Sequence, residues 1–175
     1  MKLFRSIALT AALTIGAFTA VTYTACNKDA CKNVTCNNGG TCSGGNCTCV
    51  SGYEGTTCDS LTRNKYLTGG TIASWKTGIG EDSCYSPGYM MTIAPGANND
   101  EIIINNFAGY GVSSVVTGVK VSGLTFTKTG TVTVGAVTLS SISGSINSAG
   151  TQITFTYHAV DTSSSITCSG KATKQ

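Results

Sequence analysis

Nine cysteines carry most of the chemistry that this chain could perform, and their spacing divides them into one, six and two. Cys26 stands alone behind an apolar N-terminal stretch. Cys31, Cys36, Cys42, Cys47, Cys49 and Cys58 crowd into a Gly- and Asn-rich segment, and Cys84 and Cys168 bracket a Thr- and Ser-rich region. Paired cysteines point to oxidative crosslinking in an exported protein, where an odd count otherwise leaves one thiol to explain. Other reactive groups are sparse. His158 is the only histidine, and with Asp161 it could be imagined in a Ser-His-Asp set, but no G-x-S-x-G nucleophile elbow is present. Glu81-Asp82 and Asp100-Glu101 are adjacent carboxylate pairs beside turn residues, read as solvated loop charge. No enzyme is expected, no cofactor is implied, and no metal cluster remains once the cysteines are committed.

The elements that position these groups begin with the N-terminus. Lys2 and Arg5 precede an apolar run from Ile7 to Val21, which has the form of a secretory signal and is short for a transmembrane span. The boundary Tyr23-Thr24-Ala25-Cys26 followed by Asn27-Lys28-Asp29 resembles a bacterial lipoprotein signal of the Bacteroidetes type. That resemblance implies that residues 1–25 are removed and that Cys26 receives the lipid, with 26–30 as a tether. Two or three acyl chains anchor firmly, since each buried methylene contributes about 0.8 kcal/mol. The alternative is a plain secreted protein whose Cys26 pairs elsewhere. From Cys26 onward nine Lys/Arg face eight Asp/Glu without a basic cluster, which argues against nucleic-acid binding.

From Cys31 to Cys58 the pattern is C-x4-C-x5-C-x4-C-x-C-x8-C. A segment of about 30 residues cannot bury enough apolar surface to fold without staples. Six cysteines alone allow fifteen pairings. The stretches Cys36-Asn37-Asn38-Gly39-Gly40-Thr41-Cys42 and Cys49-Val50-Ser51-Gly52-Tyr53-Glu54-Gly55-Thr56-Thr57-Cys58 resemble an epidermal growth factor-like domain over residues 31–59. The resemblance implies Cys31–Cys42, Cys36–Cys47 and Cys49–Cys58. Calcium-binding members of that family carry acidic or amide residues before the first cysteine. Here Asn27 and Asp29 fit, but Ala30 precedes Cys31 directly and Ser43-Gly44 follows the third cysteine, so no metal is assigned. Asp59-Ser60-Leu61 resembles a bacterial O-glycosylation motif, with Ser60 as the acceptor, and 60–65 reads as a polar linker.

Residues 66–175 alternate apolar and polar positions: Ile102/Ile104, Val119/Val121, Leu124/Phe126, Val132/Val134, Val137/Leu139 and Ile153/Phe155/Tyr157. Pro-Gly, Ser-Gly and Thr-Gly pairs separate them. The fold class is therefore mainly β: a disulfide-stapled module, then an antiparallel meander of about eight strands closing into a barrel, with a β-sandwich as the alternative. A bridge between Cys84 and Cys168 would tie its beginning to its end. The meander resembles the lipocalin-like domains of small bacterial lipoproteins, although four residues separate Gly70 from Trp75 where that family has Gly-x-Trp. Trp75, Tyr85, Tyr89 and Tyr110 near loops form a candidate contact patch for sugar or protein, with core or rim packing as the plainer reading.

The expectation is a non-enzymatic lipoprotein of the cell envelope, on the outer membrane, presenting the barrel on a disulfide-rich spacer for an unidentified protein or glycan partner. The second reading, implied by the lipocalin resemblance, is a carrier of a small apolar ligand, which requires a dry cavity of at least about 300 Å³. The third is an inhibitor or hydrolase acting through barrel-end loops.

Overall fold

The computed structural model describes residues 30–175. Cys26 and the N-terminal apolar stretch lie outside the described residues. The disulfide-rich module comes first, with β1 (Thr41–Ser43) and β2 (Asn46–Thr48) forming a hairpin that sets Cys42 opposite Cys47. Three bridges join Cys31–Cys42, Cys36–Cys47 and Cys49–Cys58. A second small pair follows, β3 (Tyr53–Glu54) with β4 (Ser60–Leu61). The stretch read as a linker is thus ordered: β4 leads into a 3-10 turn at Thr62–Tyr66, which drives Tyr66 and Leu67 into the core of the next unit.

That unit is a closed antiparallel barrel of eight staves. Its strands are β5 (Ala73–Thr77), β6 (Tyr89–Pro95), β7 (Glu101–Asn105), β8 (Val115–Ser122), β9 (Thr125–Lys128), β10 (Val132–Val134), β11 (Val137–Ile146), β12 (Gln152–Val160) and β13 (Ser165–Lys174). β5 to β9 pair in chain order, as do β10 to β13; β13 returns to β5, and β9 closes onto β11. Strands β9 and β10 share one stave. β9 lies along the second half of β11, from Lys128 opposite Ile142 to Thr125 opposite Ser145, and β10 lies along the first half, with Val132 opposite Leu139.

Alternation fills the barrel from within, and two bulges reset its phase. In β8, Val116 and Val119 both point inward although three residues apart, because Gly118 at φ +64° adds a residue opposite β7. In β11 the same shift occurs between Ser140 and Ser143, with Ser141 at φ +50°, so that Leu139 and Ile142 both enter the core. Trp75, Met91, Ile93, Ile104, Phe126, Ile153, Phe155 and Tyr157 fill the centre, each almost fully buried. Large rings are matched by missing side chains. The Phe126 ring covers Gly144 and the Phe155 ring covers Gly170, and a Cβ at either glycine would collide with the ring above it.

The seam between β13 and β5 is short, with Thr173 opposite Lys76 and Lys174 opposite Trp75. Above it the β5–β6 loop folds back along β13. Asp82 bridges Gly170, Ser83 N–H donates to Ser169 O at 2.9 Å, and Lys171 N–H donates to Glu81 O at 3.1 Å. The Cys84–Cys168 disulfide fastens this insert. The loop therefore completes the wall where β5 stops.

Because the strands alternate in direction, turns 95–101, 122–125 and 146–152 lie at one barrel end and loops 78–88, 106–114 and 161–164 at the other. The disulfide module closes the first end. Ser51 Oγ donates to Asp100 Oδ2 at 2.9 Å, Asn99 Nδ2 donates to Tyr53 Oη at 2.8 Å, and Arg63 Nη1 donates to Asn98 O at 2.6 Å. Gly52 packs so closely that a Cβ there would stand 2.8 Å from Asn99 C. Lys65 forms an ion pair with Glu54, and Lys174 Nζ donates to Leu67 O at 2.8 Å. The opposite, distal end has no such cap among the described residues.

Candidate functional site: the distal rim

The distal rim is organised around a buried carboxyl group. Asp82, 2% exposed, receives backbone N–H bonds from Cys84 at 2.9 Å and Tyr85 at 3.3 Å on Oδ1. Tyr89 Oη donates to Oδ2 at 2.7 Å, and Tyr157 Oη lies 3.0 Å from Oδ1. These donors offset the cost of removing the carboxyl from water. They also tie the β5–β6 loop to β6 and β12 from inside the barrel, while Cys84–Cys168, with Cys168 fully buried, ties it to β13. Solvated loop charge was the expectation for Glu81-Asp82, and it fails for Asp82. Its donors come from residues up to 75 positions away, which local spacing does not disclose.

Electrostatics follow from this burial. The Tyr89 hydroxyl is held well above the usual tyrosine range by burial, then by its bond to Asp82 and the charge there. Tyr157 is raised by burial and by Asp82, and Tyr110 by burial and by the charges of Asp82 and Asp161. Asp161, in the β12–β13 turn, is lowered to about 2 because the Ser163 and Ser164 N–H groups and the Ser163 hydroxyl all bind its carboxylate. Glu81 is lowered by bonds from Lys171 and from the Gly78 N–H.

The four aromatics of the candidate patch are divided. Tyr85 at the rim meets buried Tyr89 edge to face at 5.6 Å, and Tyr110 sits beside the 3-10 turn at Phe107–Gly109. Gly109 abuts the Tyr85 ring so that a Cβ would come within 2.5 Å of it, locking the two loops together. Trp75 belongs to the core instead, fully buried, its indole N–H donating to Tyr66 O at 3.2 Å under the Lys174 ammonium. His158 is on the outer wall between Thr167 and Ser165 and does not meet Asp161 in any hydrogen bond among the described residues. Asp100 and Glu101 are at the capped end, both engaged by Lys120. Ser60 is exposed in β4, its hydroxyl 3.3 Å from Asp59.

What sequence reading did not single out are the apolar tips. Ile79 is 85% exposed and Val112 is 92% exposed, both on distal loops, and Met90, Val115, Val160 and Ile166 stand partly exposed around the same end. The one available signal was a single aliphatic residue between turn residues, Gly78-Ile79-Gly80 and Gly111-Val112-Ser113. A groove of about 490 Å³ runs beside Ile79, between Lys76 and Met90. A second, of about 380 Å³, opens on the wall between Ser143, Thr156, Ser169 and Lys171.

Loops presenting aliphatic tips suit contact with another macromolecule. No protein family, curated protein or solved structure matches the chain.

Proposed function

We propose that the protein is a non-enzymatic lipoprotein of the cell envelope, anchored through an acylated Cys26, that holds a protein partner at the distal rim of its barrel. The signal-like N-terminus and the Ala25-Cys26 boundary support the anchor. An epidermal growth factor-like identity for residues 31–59 is supported by the spacing and the three bridges. The observation that carries the reading is polarity along the barrel axis. The tethered module closes one end, and the most exposed aliphatics of the barrel, Ile79 and Val112, stand at the other. Aliphatic tips favour a protein over a glycan. The small-ligand carrier is the weaker reading, because the barrel interior is occupied by Trp75, Phe126, Phe155 and Tyr157.

The test is partner capture by the full-length protein in its own membrane. The paired substitutions Val112→Ser and Val115→Ser are expected to abolish capture without altering the fold, and Leu124→Ser at the capped end to leave it intact. Equal capture by both would overturn the rim as the contact. Cys26→Ser is expected to release the protein from the membrane fraction, and retention there would overturn the anchor.

A further inference from the structure

Lys76 and Met90 face each other across β5 and β6, both directed outward, and Ile79 rises beside them from the loop that follows. Gly78 and Gly88 also line the space between them, and both are closely packed. A Cβ on Gly88 would stand 2.9 Å from Thr77 O, and one on Gly78 would stand 2.9 Å from Glu81 Oε2. The walls are aliphatic: Ile79 is 85% and Met90 is 44% exposed.

The charge in this groove is uncompensated. Every other lysine of the barrel has a partner: Lys120 with Asp100 and Glu101, Lys171 with Glu81, Lys128 with Thr129 O, and Lys174 with Lys65 O and Leu67 O. Lys76 has no ion-pair or hydrogen-bond partner among the described residues. Both carboxylates of the loop are spent elsewhere, Glu81 with its Oε1 on Lys171 at 2.9 Å and its Oε2 on Gly78 N–H at 2.8 Å, and Asp82 on the Tyr89 and Tyr157 hydroxyls. One free cation thus overlooks two aliphatic walls.

We infer that this groove receives the C-terminal residue of a partner protein, an aliphatic side chain lodging between Ile79 and Met90 and its α-carboxylate meeting Lys76. The inference rests on the rim-contact reading and names the chemistry of the partner. A terminal Leu or Val supplies an anion and a branched apolar group on one residue, the pairing that the groove presents.

The experiment is an NMR titration of the detergent-solubilised full-length protein with N-acetyl-Gly-Ser-Ala-Leu as free acid, with its C-terminal amide, and with decanoate. Saturable shifts are expected at Lys76, Gly78, Ile79, Gly88 and Met90, with the amide binding about threefold more weakly or worse. Lys76→Gln should erase the difference between acid and amide while leaving the rest of the spectrum unchanged, and Met90→Ser should weaken both. Equal binding of acid and amide to the unaltered protein would overturn the inference. So would shifts confined to other surfaces, or decanoate binding as tightly as the peptide, which would make the groove a fatty-acid site. If the peptide fails while Val112→Ser with Val115→Ser still abolishes partner capture, the groove assignment falls and the rim contact stands. If capture survives those substitutions, the rim reading falls instead.

Discussion

Tyr157 Oη stands 3.0 Å from Asp82 Oδ1 and 3.2 Å from Oδ2, joining the interior of β12 to a loop 75 residues earlier. This contact explains how a long loop at a barrel mouth remains fixed. The loop supplies the missing length of wall beside β13, and its buried carboxyl group is the internal fastener. The disulfide two residues later is a second one, its Cys168 end fully buried.

Asp82→Ala leaves the Tyr89 and Tyr157 hydroxyls and the Cys84 N–H without their acceptor at a buried site. A loss of roughly 2–4 kcal/mol in urea unfolding is expected, since removing one side of a buried polar cluster strands the other. Tyr157→Phe removes a single donor and should cost about 1 kcal/mol. A loss for Asp82→Ala no larger than that for Tyr157→Phe would show that Asp82 is not the hub.

Replacing Cys84 and Cys168 together by Ser frees a crosslink closing 84 residues of sequence. Chain-entropy arguments put the loss at roughly 4–5 kcal/mol, and the short β13–β5 pairing leaves little to replace it. Hydrogen exchange should accelerate first at Glu81–Ser83 and along β13. Unchanged protection there would mean that the strand pairing alone closes the barrel.

Asp161 and the buried tyrosines set opposite limits to the pH range of stability. Asp161 has a folded value near 2 against an ordinary 3.8, so its contribution is present above pH 4 and disappears as pH falls toward 2. Carboxyl-carbon NMR should place its midpoint near 2, and Ser163→Ala should move it upward. Tyr89 and Tyr157 are raised, so the native state resists their ionisation while the unfolded chain ionises near pH 10. Stability should therefore fall as pH rises beyond 10, with phenolate absorbance from these two appearing only on unfolding. Titration of every tyrosine near pH 10 in the folded protein would contradict the burial of this cluster.

Gly170→Ala should destabilise by about 1–3 kcal/mol, because the new methyl must displace the Phe155 ring in a filled core. Gly135→Ala is the comparison for backbone strain alone, since Gly135 has positive φ but open space around it. A loss at Gly170 no greater than that at Gly135 would mean that the barrel has room to spare.

Period-two alternation was enough to announce an antiparallel barrel, because most strands hold one phase from end to end. It misled where the phase changes. Val116 and Ile142 look misplaced until the bulges at Gly118 and Ser141 are known, and Leu124 reads as part of a strand although it lies in the turn before β9. Residues 60–65 look like a linker by polarity, yet Arg63 and Lys65 spend their charge on the Asn98 carbonyl and on Glu54 while Tyr66 plugs the barrel. The candidate site was less legible still. Tyr85, Tyr89 and Tyr110 were visible as aromatics, but Asp82 gains its meaning only from Tyr157, and Ile79 and Val112 from being left uncovered at the end opposite the disulfide module.

The most direct test of this polarity is in-cell photocrosslinking with a benzophenone amino acid placed singly at Ile79, Val112 and Ile166, and at Leu124 and Asn147 on the capped end. The three distal positions are expected to yield one shared crosslinked protein, and the two capped-end positions none. A crosslink of equal strength from Leu124 or Asn147, with none from Val112, would contradict the account.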